Sequence, residues 1–228
     1  MTELKDLEQT KVAIVDIARR MWREGLVRGT AGNISCVFRN LNVMLITPTG
    51  VDYERLLPEH ISVVDLDGRP IGGLSPSSET FMHLGIYKKR SDVNTVVHTH
   101  SQFAAVLSIL GHEIPSVHYM VALFGGDKIS LTTTYQLYGS QELAMETVKG
   151  LGEQYYGIIL RNHGAVAVGD KLSTAYSRAV VLEEMATLYY YVLATGQPNL
   201  LTHVQMDEMK AKLGTYGLSN GLALADEG

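Results

Sequence analysis

The run Val93-Asn94-Thr95-Val96-Val97, closing on His98-Thr99-His100, constrains this chain more than any other stretch. Its mostly apolar, β-branched composition predicts a buried strand. Strand side chains alternate between faces, so both imidazoles fall on the same side. Partners for such a strand are written nearby. Residues 32–38 and 43–47 flank Arg39-Asn40-Leu41-Asn42, the pattern of an antiparallel hairpin, and 61–66 with 70–71 repeat it around Asp67-Gly68. A further strand at 156–160 ends on Asn162-His163-Gly164, where the glycine allows a tight turn back through 165–168. Residues 117–121 and 128–134 also read as strand.

Helical spacing supplies the covering layers. Leu7, Ile14, Ile17, Ala18, Met21 and Trp22 form one stripe of a helix over 4–23, which Gly25 should stop. Further helices are predicted over 101–110, 141–151, 173–194 and 207–213. In Ser75-Pro76-Ser77-Ser78-Glu79, Ser75 reads as an N-cap and Pro76 as the first helical residue, leading into 80–89 with Glu79 in the first turn. The fold class that follows is α/β: one domain over 1–228, with a central, mainly antiparallel sheet flanked by helices.

Composition narrows the function. With 46% hydrophobic and 19% charged residues and no linker-like stretch, the chain reads as one globular unit. A net charge of -5 without a basic run argues against nucleic acid or an anionic membrane as main partner. The amino-terminal segment carries charges throughout, and no apolar stretch reaches the ~18 residues of a membrane span, so a cytoplasmic location is expected. Cys36 is the sole cysteine, which excludes an internal disulfide and a cysteine-rich zinc framework; it reads as a small buried strand residue.

Chemistry concentrates in His98, His100, His163 and Glu79. A catalytic zinc commonly takes three protein ligands and keeps a position open, and imidazole also suits other divalent transition metals. Histidines that merely pack or bond to neighbours are the competing explanation, and His60, His83, His112, His118 and His203 read that way, as surface or structural residues. Glu79 could complete a metal shell or act as general acid or base; a first-turn acid favoured by the helix dipole is the plainer alternative. Ser77 and Ser78 at a helix start suit a phosphate. The turns Gly29-Thr30-Ala31-Gly32-Asn33 and Thr47-Pro48-Thr49-Gly50 could each offer donors to an anion, or be ordinary turns.

Taken in order, GTAGNIS (29–35), ITPTG (46–50), SPSSE (75–79), VVHTH (96–100), IPSVHYM (114–120), RNHG (161–164) and TYG (215–217) resemble the class II sugar-phosphate aldolase and epimerase family over nearly the whole length. The resemblance implies a catalytic zinc on His98, His100 and His163, with Glu79 as the acid/base beside it. It implies a phosphate pocket from Gly32, Asn33, Thr49, Gly50, Ser77 and Ser78. It also implies a homotetramer with fourfold symmetry, in which Tyr119 and Tyr216 enter a neighbouring subunit's site. The implied reaction is cleavage of a ketose 1-phosphate, a small phosphorylated sugar, into dihydroxyacetone phosphate and a small aldehyde. A 5-deoxypentulose 1-phosphate aldolase, a ribulose-5-phosphate 4-epimerase and a methylthioribulose-1-phosphate dehydratase are alternatives on one scaffold. The epimerase branch usually places aspartate where this chain has Glu79. Adducin-like domains, which lack the metal ligands, are the non-catalytic alternative. Tyr138 falls where the family tends to place an aromatic near the aldehyde end, and the tail after the TYG motif shows no similarity.

Overall fold

The computed structural model describes residues 2–213. Helix α1 (Thr2–Arg23) buries Ile14, Ile17, Ala18 and Met21 on one stripe, and the chain leaves it through Gly25, whose φ of +75 most side chains disfavour. Strands β1 (Asn33–Phe38) and β2 (Val43–Ile46) then pair antiparallel, the turn between them closing on Asn42 at φ 56. The short strands β3 (Ser62–Asp65) and β4 (Pro70–Gly72) extend the sheet to one edge. Helix α2 (Thr80–Lys89) leads to the central strand β5 (Thr95–Thr99), and α3 (Gln102–Leu110) follows directly. Strand β6 (Ser130–Leu131), α4 (Gln141–Leu151), the hairpin of β7 (Gly157–Leu160) and β8 (Gly164–Gly169), α5 (Leu172–Thr195) and α6 (His203–Leu213) complete the order.

The eight strands form one sheet in the order β4-β3-β2-β1-β5-β8-β7-β6. Only β6 and β7 run parallel, so the mainly antiparallel expectation holds. Strand alternation sorts the core into layers. Ile34, Cys36, Leu45, Val97 and Ala167 pack under α1 and the start of α5, and Ile159 and Ala165 on the same face meet α3, the end of α5 and α6. Met44, Ile46, Val64, Val96, Ile158, Val166 and Val168 face α2 and α4 on the other side. Full burial of each Val, Leu, Ile or Met among these stabilises the fold by ~1.5–3 kcal/mol before entropy is counted. Cys36 is buried in β1, as expected. Among the described residues no helix is long and apolar enough to cross a membrane.

Two strand expectations fail. The stretch 117–121 is not extended: Tyr119–Phe124 forms a 3-10 turn, because the His118 ring accepts the Met120 N–H at its start and Gly125, at φ 85, ends it. Its apolar run buries Val121, Ala122 and Phe124 on one side, which a turn does as well as a strand. Within 128–134 only Ser130–Leu131 forms a strand, pairing with β7 at the sheet edge, while Ile129 just before it makes an isolated bridge to Ile114.

Candidate metal centre

The four predicted ligands converge at one end of the sheet, on the α2 face. His98 closes β5 and is fully buried. His100 lies two residues on, just before α3, and His163 sits in the β7–β8 turn. Glu79 precedes α2. Their ligand atoms all lie within 4.8 Å of one another. The three imidazoles meet edge to face, with centroid separations of 4.8, 4.9 and 4.8 Å and interplanar angles of 70, 79 and 82°. Near-perpendicular rings around a common point are how three imidazoles present lone pairs to one cation while leaving a side open.

Local sequence explains each placement, with two departures from expectation. Ser75 and Pro76 do not start the helix. Pro76 bridges Pro48, the Thr49 N–H donates to the Ser75 carbonyl at 3.0 Å and the Ser77 N–H to Thr47 at 3.2 Å, so the segment lies extended along the 47–49 turn. The helix begins at Thr80 with Glu79 in the N-cap position, its side chain making no cap bond. At the His163 turn the left-handed residue is Asn162, φ 53, rather than Gly164. Gly164 is needed for closeness: a Cβ there would lie 2.2 Å from the Thr99 carbonyl oxygen. Gly164→Ala is therefore expected to cost ~1–3 kcal/mol and to lower the melting temperature by roughly 2–12 °C, measurable by calorimetry. Gly32 has the same role across the site, its missing Cβ leaving room for the His98 carbonyl, 2.7 Å from where that atom would sit.

Proton positions follow from the partners. Nδ1 of His98 faces the Ala165 carbonyl oxygen at 2.9 Å, so it carries the proton, and Nε2 of the neutral ring keeps its lone pair. That Nε2 lies 2.9 Å from His100 Nε2 and 3.1 Å from Glu79 Oε2. Lone pairs aimed together at such distances require a positive centre among them, either a proton or a metal ion. Glu79 Oε1, 3.4 Å from His163 Nε2, is buried and has no hydrogen-bond partner among the described residues, as an oxygen reserved for a ligand would be. Burial alone would raise the Glu79 carboxyl, but His98, His163 and the Asn33 amide hold it well below the usual carboxylate range. Burial and the neighbouring His98 push His100 down to about 3 and His163 down to about 4. Burial disfavours charge on His98 too, yet the adjacent Glu79 and the Ala165 carbonyl raise it above its ordinary value. The donor set, three imidazoles and a carboxylate, fits zinc or a similar divalent ion.

Beside this cluster lies a cleft of about 280 Å³ whose lining includes Gly32, Asn33, Thr49, Ser77, Ser78, Glu79, His100 and His163. Of the expected phosphate residues only Gly50 does not line it; at φ +70 it shapes the turn after Thr49. Ser77 Oγ accepts from Asn33 Nδ2 at 3.0 Å and from the Glu79 N–H at 3.2 Å, which leaves its own proton to donate into the cleft. Tyr119 is 48% exposed and does not line this cleft, and Tyr216 lies outside the described residues.

Other cleft residues were not singled out from sequence. Tyr135 and Asn162 line it, as does Tyr138, noted for its position. Sequence alone marks His83 only as a surface or structural residue. It is fully buried in contact with Asn33 and Ser35, and burial pushes it down to about 3. A signal existed: Glu79, His83 and Tyr87 recur every four residues on one helix, and Asn33 and Ser35 alternate on one strand.

Residues 12–190 match the family described as Class II Aldolase and Adducin N-terminal domain. The L-fuculose phosphate aldolase of Haemophilus influenzae is 40% identical over 206 residues, covering 90% of this chain and 94% of its own. The 5-deoxy-D-ribulose 1-phosphate aldolase of Bacillus thuringiensis serovar kurstaki is 35% identical over 212 residues, covering 92% and 98%. A solved structure of an L-fuculose 1-phosphate aldolase superposes with a TM-score of 0.85 at 32% identity, over 89% of this chain and 95% of that one. The chain belongs to the class II aldolase and adducin family.

Proposed function

We propose that this chain, acting as one unit over its whole length, is a zinc-dependent aldolase that reversibly cleaves a ketose 1-phosphate of the L-fuculose 1-phosphate type. The products are dihydroxyacetone phosphate and a small aldehyde such as lactaldehyde. The observation that carries this reading is the near-orthogonal trio of imidazoles closed by the buried Glu79 carboxylate, beside a cleft with an available serine proton. Retention of all four ligand residues supports an enzyme over a non-catalytic adducin-like domain.

In this reading His98, His100, His163 and Glu79 hold the ion. Zinc, when bound, supplies Lewis-acid stabilisation of the negative charge that develops on the enediolate. The substrate phosphate is bound by the Ser77 hydroxyl, Ser78, Thr49 and the Gly32–Asn33 turn, with Gly50 setting the geometry after Thr49. In the cleavage direction the C4 hydroxyl loses its proton, the C3–C4 bond breaks, and its electron pair stays with C3. Tyr119 handles the proton on the aldehyde-side oxygen, and Glu79 returns a proton at the dihydroxyacetone phosphate side. Tyr216 closes the aldehyde end. The exposure of Tyr119, away from its own cleft, supports a homotetramer in which it serves a neighbouring subunit.

A 5-deoxypentulose 1-phosphate is the second candidate substrate, favoured by the Bacillus thuringiensis relative. Incubating the protein with L-fuculose 1-phosphate or 5-deoxyribulose 1-phosphate, and following dihydroxyacetone phosphate by a coupled NADH assay, tests both. Product is expected, and a chelator should abolish it until zinc is restored. An epimerase or dehydratase would release no dihydroxyacetone phosphate from any ketose phosphate, and that result would end the aldolase reading.

A further inference from the structure

Behind Glu79 and Asn33 runs a chain of buried polar groups, His83, Ser35 and Tyr87, that the chemistry above does not use. Asn33 Nδ2 donates to Glu79 Oε2 at 2.9 Å, and the Asn33 Oδ1 meets His83 Nε2 at 2.5 Å. His83 Nδ1 lies 2.6 Å from Ser35 Oγ, which lies 2.6 Å from the Tyr87 hydroxyl. Glu79 is 5% exposed, Asn33 3%, Tyr87 2%, and Ser35 and His83 not at all. At such depth an unmatched donor or acceptor is costly, so the protons can be placed by elimination.

A carboxylate only accepts, so Asn33 must turn its nitrogen, and not its oxygen, toward Glu79. Both hydrogens of that nitrogen are then used, one on Glu79 and one on Ser77 Oγ. The Asn33 oxygen, facing the other way, requires a donor, and among the described residues the hydrogen bond it makes is with His83 Nε2, which therefore carries the proton. In the neutral ring Nδ1 then accepts from the Ser35 hydroxyl. The single Tyr87 hydroxyl proton lies between the Ser35 carbonyl oxygen at 2.9 Å and Ser35 Oγ at 2.6 Å. From Ser35 through His83 to Asn33 every donor points toward the carboxylate, an arrangement in which each bond polarises the next.

Turning the Asn33 amide over would set its oxygen against the carboxylate and its NH2 against the His83 N–H. With Nε2 protonated, His83 supplies the donor that the Asn33 oxygen needs, so both ends of the amide are satisfied in the orientation the carboxylate requires. We infer that His83 is a positioning residue: through Asn33 it fixes the Glu79 carboxylate by Oε2 and keeps Oε1 directed at the metal centre. This rests on the metal-site part of the proposed function, and its test is read as ion affinity rather than as catalysis.

The experiment is a chelator competition for Zn2+ on the wild-type protein and on His83→Gln, His83→Asn, Asn33→Ala and the Asn33→Ala/His83→Asn double variant. A glutamine amide nitrogen can reach the Nε2 position and donate to Asn33, whereas an asparagine ends near Nδ1. His83→Asn is expected to weaken Zn2+ by ~10-fold, within the range for groups that orient metal ligands, and His83→Gln by no more than ~3-fold. In the Asn33→Ala background, where the link is already cut, His83→Asn should change affinity by less than ~2-fold. Equal losses with and without Asn33 would overturn the inference. So would losses in His83→Gln and His83→Asn that only track their melting temperatures. A wild-type protein that binds zinc but cleaves no ketose phosphate would sink the aldolase reading and leave this cycle to be judged on its own numbers. A wild-type protein that binds no zinc would overturn both.

Discussion

His98→Ala is expected to leave the protein without stoichiometric zinc and to lower turnover by at least ~10^3-fold. Its ring is the hub of the centre: Nε2 lies 2.9 Å from His100 Nε2 and 3.1 Å from Glu79 Oε2. Its Nδ1 proton is tied to the Ala165 carbonyl, so the lone pair needs no rearrangement to bind. Removing it takes the imidazole partner from the Ala165 carbonyl and leaves two imidazoles and a carboxylate with a gap between them. A Lewis acid contributes several kcal/mol of stabilisation to the developing charge, and ~4 kcal/mol withdrawn corresponds to about 10^3 in rate. Elemental analysis of the purified variant, read beside dihydroxyacetone phosphate release, checks both halves. About one zinc per chain retained in His98→Ala would mean that the ion binds elsewhere, and the proposed centre would fall.

That the three histidines meet was legible because each sits at a position with a simple rule. A two-residue spacing at a strand end put His98 and His100 together, and a turn between two apolar runs put His163 beside them. The sheet itself followed from hairpin signals, and the long helices from their apolar stripes. What sequence missed was set by tertiary competition. Ser75-Pro76 looks like a helix start until Pro76 and Ser77 pair with the 47–49 turn, which no local pattern announces. Apolar residues at 117–121 fit a strand and a buried 3-10 turn equally well, and the His118 cap decided for the turn. The Tyr87-to-Glu79 chain of hydrogen bonds lay in plain periodicity on two elements, α2 and β1, but only their packing shows that the two polar stripes face each other.

Glu79→Gln separates holding the ion from moving a proton, and the environment of Glu79 makes it a clean exchange. The glutamine carbonyl can take the place of Oε2 and accept from Asn33 Nδ2, now 2.9 Å from that oxygen. Its NH2 then occupies the Oε1 position, 3.4 Å from His163 Nε2, and no buried donor is left facing another on the Asn33 side. The backbone N–H of residue 79, which bonds Ser77 Oγ, is untouched, so the serine still has its proton to give to a phosphate. Zinc content should therefore stay near one per chain on the three imidazoles, and affinity for a phosphorylated enediolate analogue should change little. Turnover should fall by ~10²–10⁴-fold, the usual worth of a positioned general acid or base, because an amide cannot carry the proton. Turnover within a few-fold of wild type would remove Glu79 from the proton path. Loss of zinc would instead make its carboxylate an obligatory ligand, and catalysis and binding would then have to be separated at Tyr119.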